Sequence, residues 1–183
     1  MTDAALIDET HPTNPLSAYG ISKLALEKYI GMYATLYNIE HMILRPSNIY
    51  GVGQKLHIGQ GIIGVFIDRA LRGESLEIWG TGTNLRDYLY VDDLTDAALR
   101  LLVYTGDAHV FNVSSGVGRS IIDIIEALRQ HMPLDVIQRP GRGFDVPRNV
   151  LDYARLRVAT GWQPQTTFDD GLRRTIAWVQ STR

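Results

Sequence analysis

The stretch Ser17-Ala18-Tyr19-Gly20-Ile21-Ser22-Lys23 opens the first long helical pattern of the chain. Tyr19 and Lys23 stand four residues apart, and this spacing places two side chains on the same face of a helix. An ammonium group beside a phenol favours the phenolate, so the pair predicts a proton-transfer site. The same spacing also fits a surface helix that carries a tyrosine and a lysine with no chemical role.

The residues that follow continue the helical pattern. Ser17 is a suitable N-cap, and apolar residues then recur in steps of three and four, with Tyr33 and Tyr37 widening the stripe. The stripe consists of Ala18, Ile21, Ala25, Tyr29, Met32 and Leu36. We therefore expect a long helix over residues 18–36 with one apolar face.

A short apolar run at residues 40–45 is typical of a buried parallel strand, and Pro46 is expected to end it. The next residues, Ser47-Asn48-Ile49-Tyr50-Gly51, are predicted to form a turn at the carboxyl end of that strand. Open α/β sheets bind their ligands at this edge. Asn48 is therefore a candidate ligand contact, although asparagine also favours turns for reasons unrelated to binding.

Two later segments carry arginines suited to binding an anion. Arg86 lies in a predicted strand over residues 85–91, and a planar guanidinium is well suited to a diphosphate. The alternative is a surface ion pair with Asp87. Arg142 and Asp145 lie in a loop over residues 139–146, for which the alternative is a solvated basic loop.

Four motifs taken in order resemble the extended short-chain dehydrogenase/reductase family that acts on nucleotide sugars, and within it the UDP-glucose 4-epimerases. The motifs are Pro15–Glu27 around Tyr-x-x-x-Lys, Leu44–Gly51, Leu85–Asp93 and Gly141–Val146. The resemblance extends over nearly the whole chain. It implies an α/β fold made of an incomplete Rossmann-like doubly wound sheet and a smaller α/β substrate-binding domain. Residues 1–52 would be the remnant of the NAD-binding domain, and residues 53–183 mainly the nucleotide-sugar-binding domain, with some segments returning to the sheet.

The resemblance also implies a reaction. The Tyr19 phenolate would take the proton from the 4-hydroxyl of the sugar while hydride leaves carbon 4 for NAD, and the keto sugar would turn and receive hydride on its other face. Tyr19, Lys23 and Pro46 would contact the cofactor, with Lys23 supporting the phenolate and reaching the nicotinamide ribose.

The ligand contacts implied by the family form a clamp around a UDP-sugar. Arg86 and Arg142 would hold the diphosphate, Asn48 would contact the diphosphate or the sugar, and Asp145 would hold the nucleoside side. Gln60 occupies the place where epimerases often have an asparagine that touches the nucleotide sugar.

One departure from the family concerns the cofactor. The Gly-rich dinucleotide turn and the catalytic Ser or Thr of the family precede the tyrosine, whereas only eighteen residues precede Tyr19 here. Residues 59–64 satisfy G-x-G-x-x-G, but they follow the catalytic tyrosine and lack a convincing preceding strand. We expect this chain to be inactive alone, to bind NAD poorly and to retain weak affinity for UDP.

Three functions remain open from the sequence. The first is an epimerase that is truncated or completed by a separate N-terminal half. The second is a 4,6-dehydratase or reductase on the same scaffold, which is less favoured because the acidic pair of those dehydratases is missing from the sequence. The third is a non-catalytic nucleotide-sugar-binding or dimerisation module. Because a partner of the 18–36 helix is missing, we expect a homo-oligomer or a complex with the other half.

Composition excludes several other classes of protein. A net charge of −2 over 183 residues gives no electrostatic reason to expect nucleic acid or an anionic membrane as a partner. With no cysteines there are no disulfides and no thiol chemistry, and the five histidines lack metal-ligand spacing. The longest apolar run is too short to span a bilayer. We expect a cytoplasmic protein without a metal.

Overall fold

The computed structural model describes residues 6–54, 56, 61–141 and 146–182, which form six helices and eight strands within those ranges. The helices are α1 (Ala18–Tyr37), α2 (Ile62–Leu71), α3 (Val91–Leu101), α4 (Ile121–Arg129), α5 (Ala154–Thr160) and α6 (Phe168–Ser181). The strands are β1 (Ile43–Pro46), β2 (Asn48–Tyr50), β3 (Leu76–Trp79), β4 (Leu85–Tyr90), β5 (Val110–Val113), β6 (Gly118–Arg119), β7 (Val136–Arg139) and β8 (Arg148–Asn149). The α/β class expected from the sequence is confirmed.

The strands form three small groups. β1 pairs with β5, and β3 pairs with β7, both in parallel. In the central group β4 pairs in parallel with β2 and β8, and antiparallel with β6. β4 is therefore the strand on which the central sheet is built, and the short strands β6 and β8 were not predicted from the sequence.

Two hydrophobic clusters cover these strands. One lies between β4, α2, α4 and α6 and contains the fully buried Ile67, Leu128 and Val179. The other lies between β5, α3 and α5 around Phe111 and Trp162, both fully buried. The sequence predicts a capping box at Ser120 and a cap at Thr167, each opening a helix with one apolar face. Both caps are present in α4 and α6, whose apolar faces form part of the first cluster.

The turn predicted for residues 47–51 is wrong for its three central residues. Asn48, Ile49 and Tyr50 form a strand, which pairs in register with Tyr88, Leu89 and Tyr90. The aromatic and β-branched side chains outweigh the turn preference of Asn48, because Tyr50 gains burial against the core. Pro46 is the last residue of β1. The Ser47 N–H still donates to Val113 O of β5 at 3.0 Å, so hydrogen bonding to β5 continues to the residue at which the chain passes into the central sheet.

From the sequence alone, Asp92 or Asp93 is expected to cap the helix that follows β4, and this prediction is wrong. The N-cap of α3 is Tyr90, without a side-chain cap bond, and both acids lie in the first turn. The buried Asp93 carboxylate instead accepts hydrogen bonds from the backbone N–H groups of Gln165 and Thr166. A tertiary partner distant in sequence therefore takes up the carboxylate that was expected to cap the helix.

Helix α1 matches its predicted span, and the side chain of Ser17 accepts from the Gly20 N–H as predicted. None of its residues, all of which lie in the described part of the chain, is buried. Its apolar stripe is exposed instead, and the rings of Tyr33 and Tyr37 stack on the surface with centroids 5.6 Å apart. No helix in the described ranges combines the length and the apolar character needed to cross a membrane.

We propose that the exposed stripe of α1 drives self-association, because contiguous exposed apolar surface of this kind marks a contact site. Replacing Tyr33 by glutamate should shift the chain toward monomer in size-exclusion chromatography with light scattering. Thr35→Glu is the matched control, since it adds the same charge to the opposite side of α1. A wild-type chain that remains a clean monomer at high concentration would contradict the proposal.

Candidate functional site

The Tyr19–Lys23 pair forms as the helical spacing predicts. The Lys23 ammonium nitrogen lies 5.4 Å from the centroid of the Tyr19 ring, one turn further along α1. Tyr19 is 74% exposed, so its phenol is accessible to a reacting group. The structure thus holds a phenol with a neighbouring cation on an open face of a helix.

An ion pair fixes this face of α1 over β1. Glu27 follows Lys23 by one more turn, and its carboxylate accepts from Arg45 Nε at 2.9 Å and from the Arg45 terminal nitrogen at 2.5 Å. Such bidentate pairs add geometric specificity as well as energy. The face that carries Tyr19 and Lys23 is therefore held next to the strand that leads to Asn48.

Asn48 and Arg86 line one cavity of about 370 Å³, together with Tyr50, Asn84 and Tyr88. We call it the Asn48–Arg86 cavity. It opens where β2 and β4 run side by side, and the start of α2 at Gly61–Ile63 closes one of its walls. Tyr19 is not among its lining residues, so the described part of the chain brings the two predicted clamp residues together and leaves the Tyr19–Lys23 pair outside this cavity.

Backbone carbonyls orient the Arg86 guanidinium. One of its terminal nitrogens donates to Leu85 O at 2.9 Å and to Val146 O at 2.7 Å. Val146 immediately follows the segment 142–145, so Arg86 is joined to one end of the loop that carries Arg142 and Asp145. These two carbonyls hold the guanidinium at the cavity wall.

Asp87 stabilises the backbone next to the cavity through hydrogen bonds. Asn48 Nδ2 donates to Asp87 O at 2.9 Å, which orients the Asn48 amide. The Asp87 carboxylate, 1% exposed, accepts from Ser115 N, Ser115 Oγ and Gly116 N at 2.8–2.9 Å. This network joins β4 to the segment after β5, and it shows that the Asp87 carboxylate has a structural role of its own.

Two tyrosines form an aromatic wall of the cavity. Burial raises the pKa of Tyr88, with Arg86 opposing part of the rise, and burial also raises the pKa of Tyr50 well above its ordinary range. Both therefore remain phenols at neutral pH and offer O–H groups. Tyr50 O–H donates to Phe168 O at 3.3 Å, and Gly171 of α6 leaves the space that the Tyr50 ring occupies.

The remaining candidates fall into two groups. Pro46 is exposed at the end of β1, directly after Arg45, which pairs with Glu27 of α1. Gln60, Arg142 and Asp145 lie outside the described residues, so their predicted contacts stay predictions. Their described neighbours, Gly61 and Val146, lie at the cavity and at Arg86 respectively.

Sequence reasoning missed Asn84 and Tyr88 as cavity residues. The period of two along a strand would have found Tyr88, because Arg86 and Tyr88 lie on the same face of β4. Asn84 precedes β4 and lines the cavity only because α2 and α4 pack over this end of the strand. Within the ranges that the structure covers, no cluster of three histidines or acids is placed to hold a metal ion.

Comparison with known proteins assigns the chain to a family. Residues 3–114 match the model of the NAD dependent epimerase/dehydratase family. The chain belongs to this family. It is 34% identical over 177 residues to a putative UDP-glucose 4-epimerase from Methanocaldococcus jannaschii and 34% identical over 175 residues to a UDP-glucose 4-epimerase from Mycolicibacterium smegmatis.

These matches cover 96% and 94% of this chain but only 57% and 56% of the relatives. A crystal structure of a UDP-glucose 4-epimerase with UDP-glucose from Thermotoga maritima superposes with a TM-score of 0.92 at 32% identity. It covers 100% of this chain, which corresponds to 59% of that epimerase. The fold of this chain therefore matches an epimerase over a little more than half of the epimerase's length.

Proposed function

We propose that this chain forms the substrate-binding part of an NAD-dependent nucleotide-sugar 4-epimerase acting on UDP-glucose and UDP-galactose. The observation that carries the proposal is the Asn48–Arg86 cavity, whose lining combines the Arg86 guanidinium, held by two backbone carbonyls, with the oriented Asn48 amide. A guanidinium and an amide N–H group are suited to the oxygens of a diphosphate. Arg142 and Asp145 would complete the clamp from the loop that ends at Val146.

The acid–base step falls to the Tyr19–Lys23 pair. Tyr19 would take the proton from the sugar's 4-hydroxyl, and the Lys23 ammonium beside it would stabilise the resulting negative charge. An exposed phenol on the helix face held over β1 is accessible to a sugar that extends from the cavity toward α1.

The chain's own residues also fit an NAD molecule on this side. Lys23 and Pro46 lie on the open face formed by α1 and the end of β1, where a ring and a ribose would find a cation and an apolar contact. NAD, when bound, supplies the hydride acceptor that epimerisation requires. The remaining cofactor contacts would come from the part of an epimerase that the chain's match to its relatives does not span.

Calorimetry and an activity assay test the proposal together. We expect UDP and UDP-glucose to bind the purified 183-residue chain weakly, NAD alone to bind poorly, and UDP-glucose with added NAD to remain unconverted. Each charge-assisted phosphate contact contributes about 1.5–3 kcal/mol, so two such contacts without the rest of the protein support modest affinity. Absence of UDP binding would refute the substrate-binding role, and measurable epimerisation would refute the need for a further segment.

A further inference from the structure

A second arginine stands directly opposite Arg86 in the central sheet. Arg119 of β6 is the register partner of Arg86 in the antiparallel β4–β6 pair. Residues directly opposite in such a pair project from the same face of the sheet, and like charges in this arrangement are destabilising. The Arg119 charge therefore calls for an anion of its own nearby.

The surroundings of Arg119 supply no such anion from the protein. Its guanidinium carbon lies 4.2 Å from the centroid of the Phe168 ring, and no ion pair joins it to a carboxylate in the part of the chain that the structure describes. Other arginines differ in this respect, since Arg139 pairs with Glu77 and Arg174 with Asp170. Stacking on Phe168 holds the Arg119 guanidinium in place while leaving its charge available.

Arg119 lines a cavity of about 270 Å³, which we call the Arg119 cavity. Thr166 and Thr167 also line this cavity, and Phe168 forms part of its wall. A fixed guanidinium with several N–H donors, together with two threonine hydroxyl groups in the lining, suits an anion with three or more acceptor oxygens, which a phosphate group has and a carboxylate lacks.

Two tyrosines separate this space from the Asn48–Arg86 cavity. Tyr50 and Tyr88 line both cavities, whereas Arg86 and Asn48 line only the first and Arg119 only the second. The aromatic wall continues through Phe168, whose ring centroid lies 5.7 Å from that of Tyr50 and 6.5 Å from that of Tyr88. Arg86 and Arg119 therefore line two neighbouring but separate cavities.

The buried Asp93 carboxylate, which bonds to two residues that line the Arg119 cavity, does not form an ion pair with Arg119. The Asp93 carboxylate accepts hydrogen bonds from the backbone N–H groups of Gln165 and Thr166 at 3.0 and 3.1 Å. Burial is the main cause of the raised pKa of Tyr50, and Asp93 adds to it only in a minor way. The two hydrogen bonds hold the 165–166 segment against α3. The Asp93 carboxylate therefore faces the backbone of residues 165–166.

We propose that the Arg119 cavity binds a small phosphate-bearing molecule at a site separate from the nucleotide-sugar cavity. The volume suits a phosphate group on a body of about monosaccharide size, since it lies just below the usual range for drug-sized ligands. Arg119 would bind the phosphate, and the hydroxyl groups of Thr166 and Thr167 would complete its hydrogen bonds.

Amide chemical shifts in two-dimensional NMR test this proposal with inorganic phosphate as the probe, titrated at constant ionic strength. We expect saturable shifts at residues 115–119 and 166–167. Arg119→Gln should weaken the response about tenfold, as loss of a charge-assisted hydrogen bond does. Arg157→Gln, an exposed arginine of α5 outside both cavities, is the matched control and should respond like wild type. The spectra also report whether each variant is folded.

Repeating the titration with saturating UDP separates this site from the proposed nucleotide site. Shifts at Arg119 that persist with UDP present support two sites, and they do so even if UDP itself fails to bind. Non-saturating shifts, an unchanged response in Arg119→Gln, shifts confined to Asn48 and Arg86, or loss of the Arg119 response on adding UDP would each overturn the proposal. Acetate in place of phosphate should give weaker shifts, and an equal response would overturn the phosphate assignment.

Discussion

Replacing Arg86 by alanine should weaken UDP binding by roughly tenfold to a hundredfold, which is the effect of losing about 1.5–3 kcal/mol of charge-assisted hydrogen bonding. Two backbone carbonyls hold the Arg86 guanidinium at the wall of the Asn48–Arg86 cavity, so its orientation is set before a ligand arrives. Calorimetry with UDP measures the effect.

Two variants make this experiment specific. Arg86→Lys keeps the positive charge but lacks the planar fork, so its affinity should fall between those of wild type and Arg86→Ala. Arg157→Ala removes the same charge from the exposed side of α5 and should leave UDP binding unchanged. If Arg86→Ala bound UDP as tightly as wild type while remaining folded, the diphosphate role of Arg86 would be lost.

Replacing Asp87 by alanine should lower the free energy of unfolding by about 3 kcal/mol, because three donors lose a buried charged acceptor. Asp87→Asn keeps one acceptor oxygen but places an amide donor against a backbone N–H group, so a loss of about half that size is expected. Urea unfolding measures both changes, and Asp107→Ala, an exposed acid between α3 and β5, is the control that should have little effect.

The Asp87 variants also separate stability from binding. Asn48 donates to the backbone carbonyl of Asp87, which every substitution retains, so the cavity keeps its oriented amide as long as the chain is folded. UDP affinity measured well below the unfolding transition should therefore change little. A large loss of affinity in a stable, folded Asp87→Asn variant would show that the carboxylate acts on the ligand, contrary to the network seen here.

The sequence was informative where the pattern is local. Helical spacing fixed the Tyr19–Lys23 pair, because side chains four residues apart meet on a helix whatever surrounds it. The capping box at Ser120 and the cap at Thr167 also depend only on neighbouring residues, and both formed as predicted. The four motifs that begin with the Tyr19–Lys23 segment identified the family.

Local preference failed where a distant partner competed for the same residue. Asn48 entered a strand because β4 offered it a partner, and Asp93 bonded to residues 165–166 because α6 approaches the start of α3. Neither partner can be located from local sequence, since both contacts join segments far apart in the chain.

The sequence by itself determined the Tyr19–Lys23 pairing, the family and the individual arginines, because spacing and residue type are properties of the chain. Only the tertiary structure decided which of these residues share a space. It joined Asn48 and Arg86 in one cavity, gave Arg119 a second one, and set the tyrosine wall between them. The physical reason is that β4 pairs with strands drawn from three separate parts of the chain, and cross-strand register rather than sequence distance determines which side chains meet.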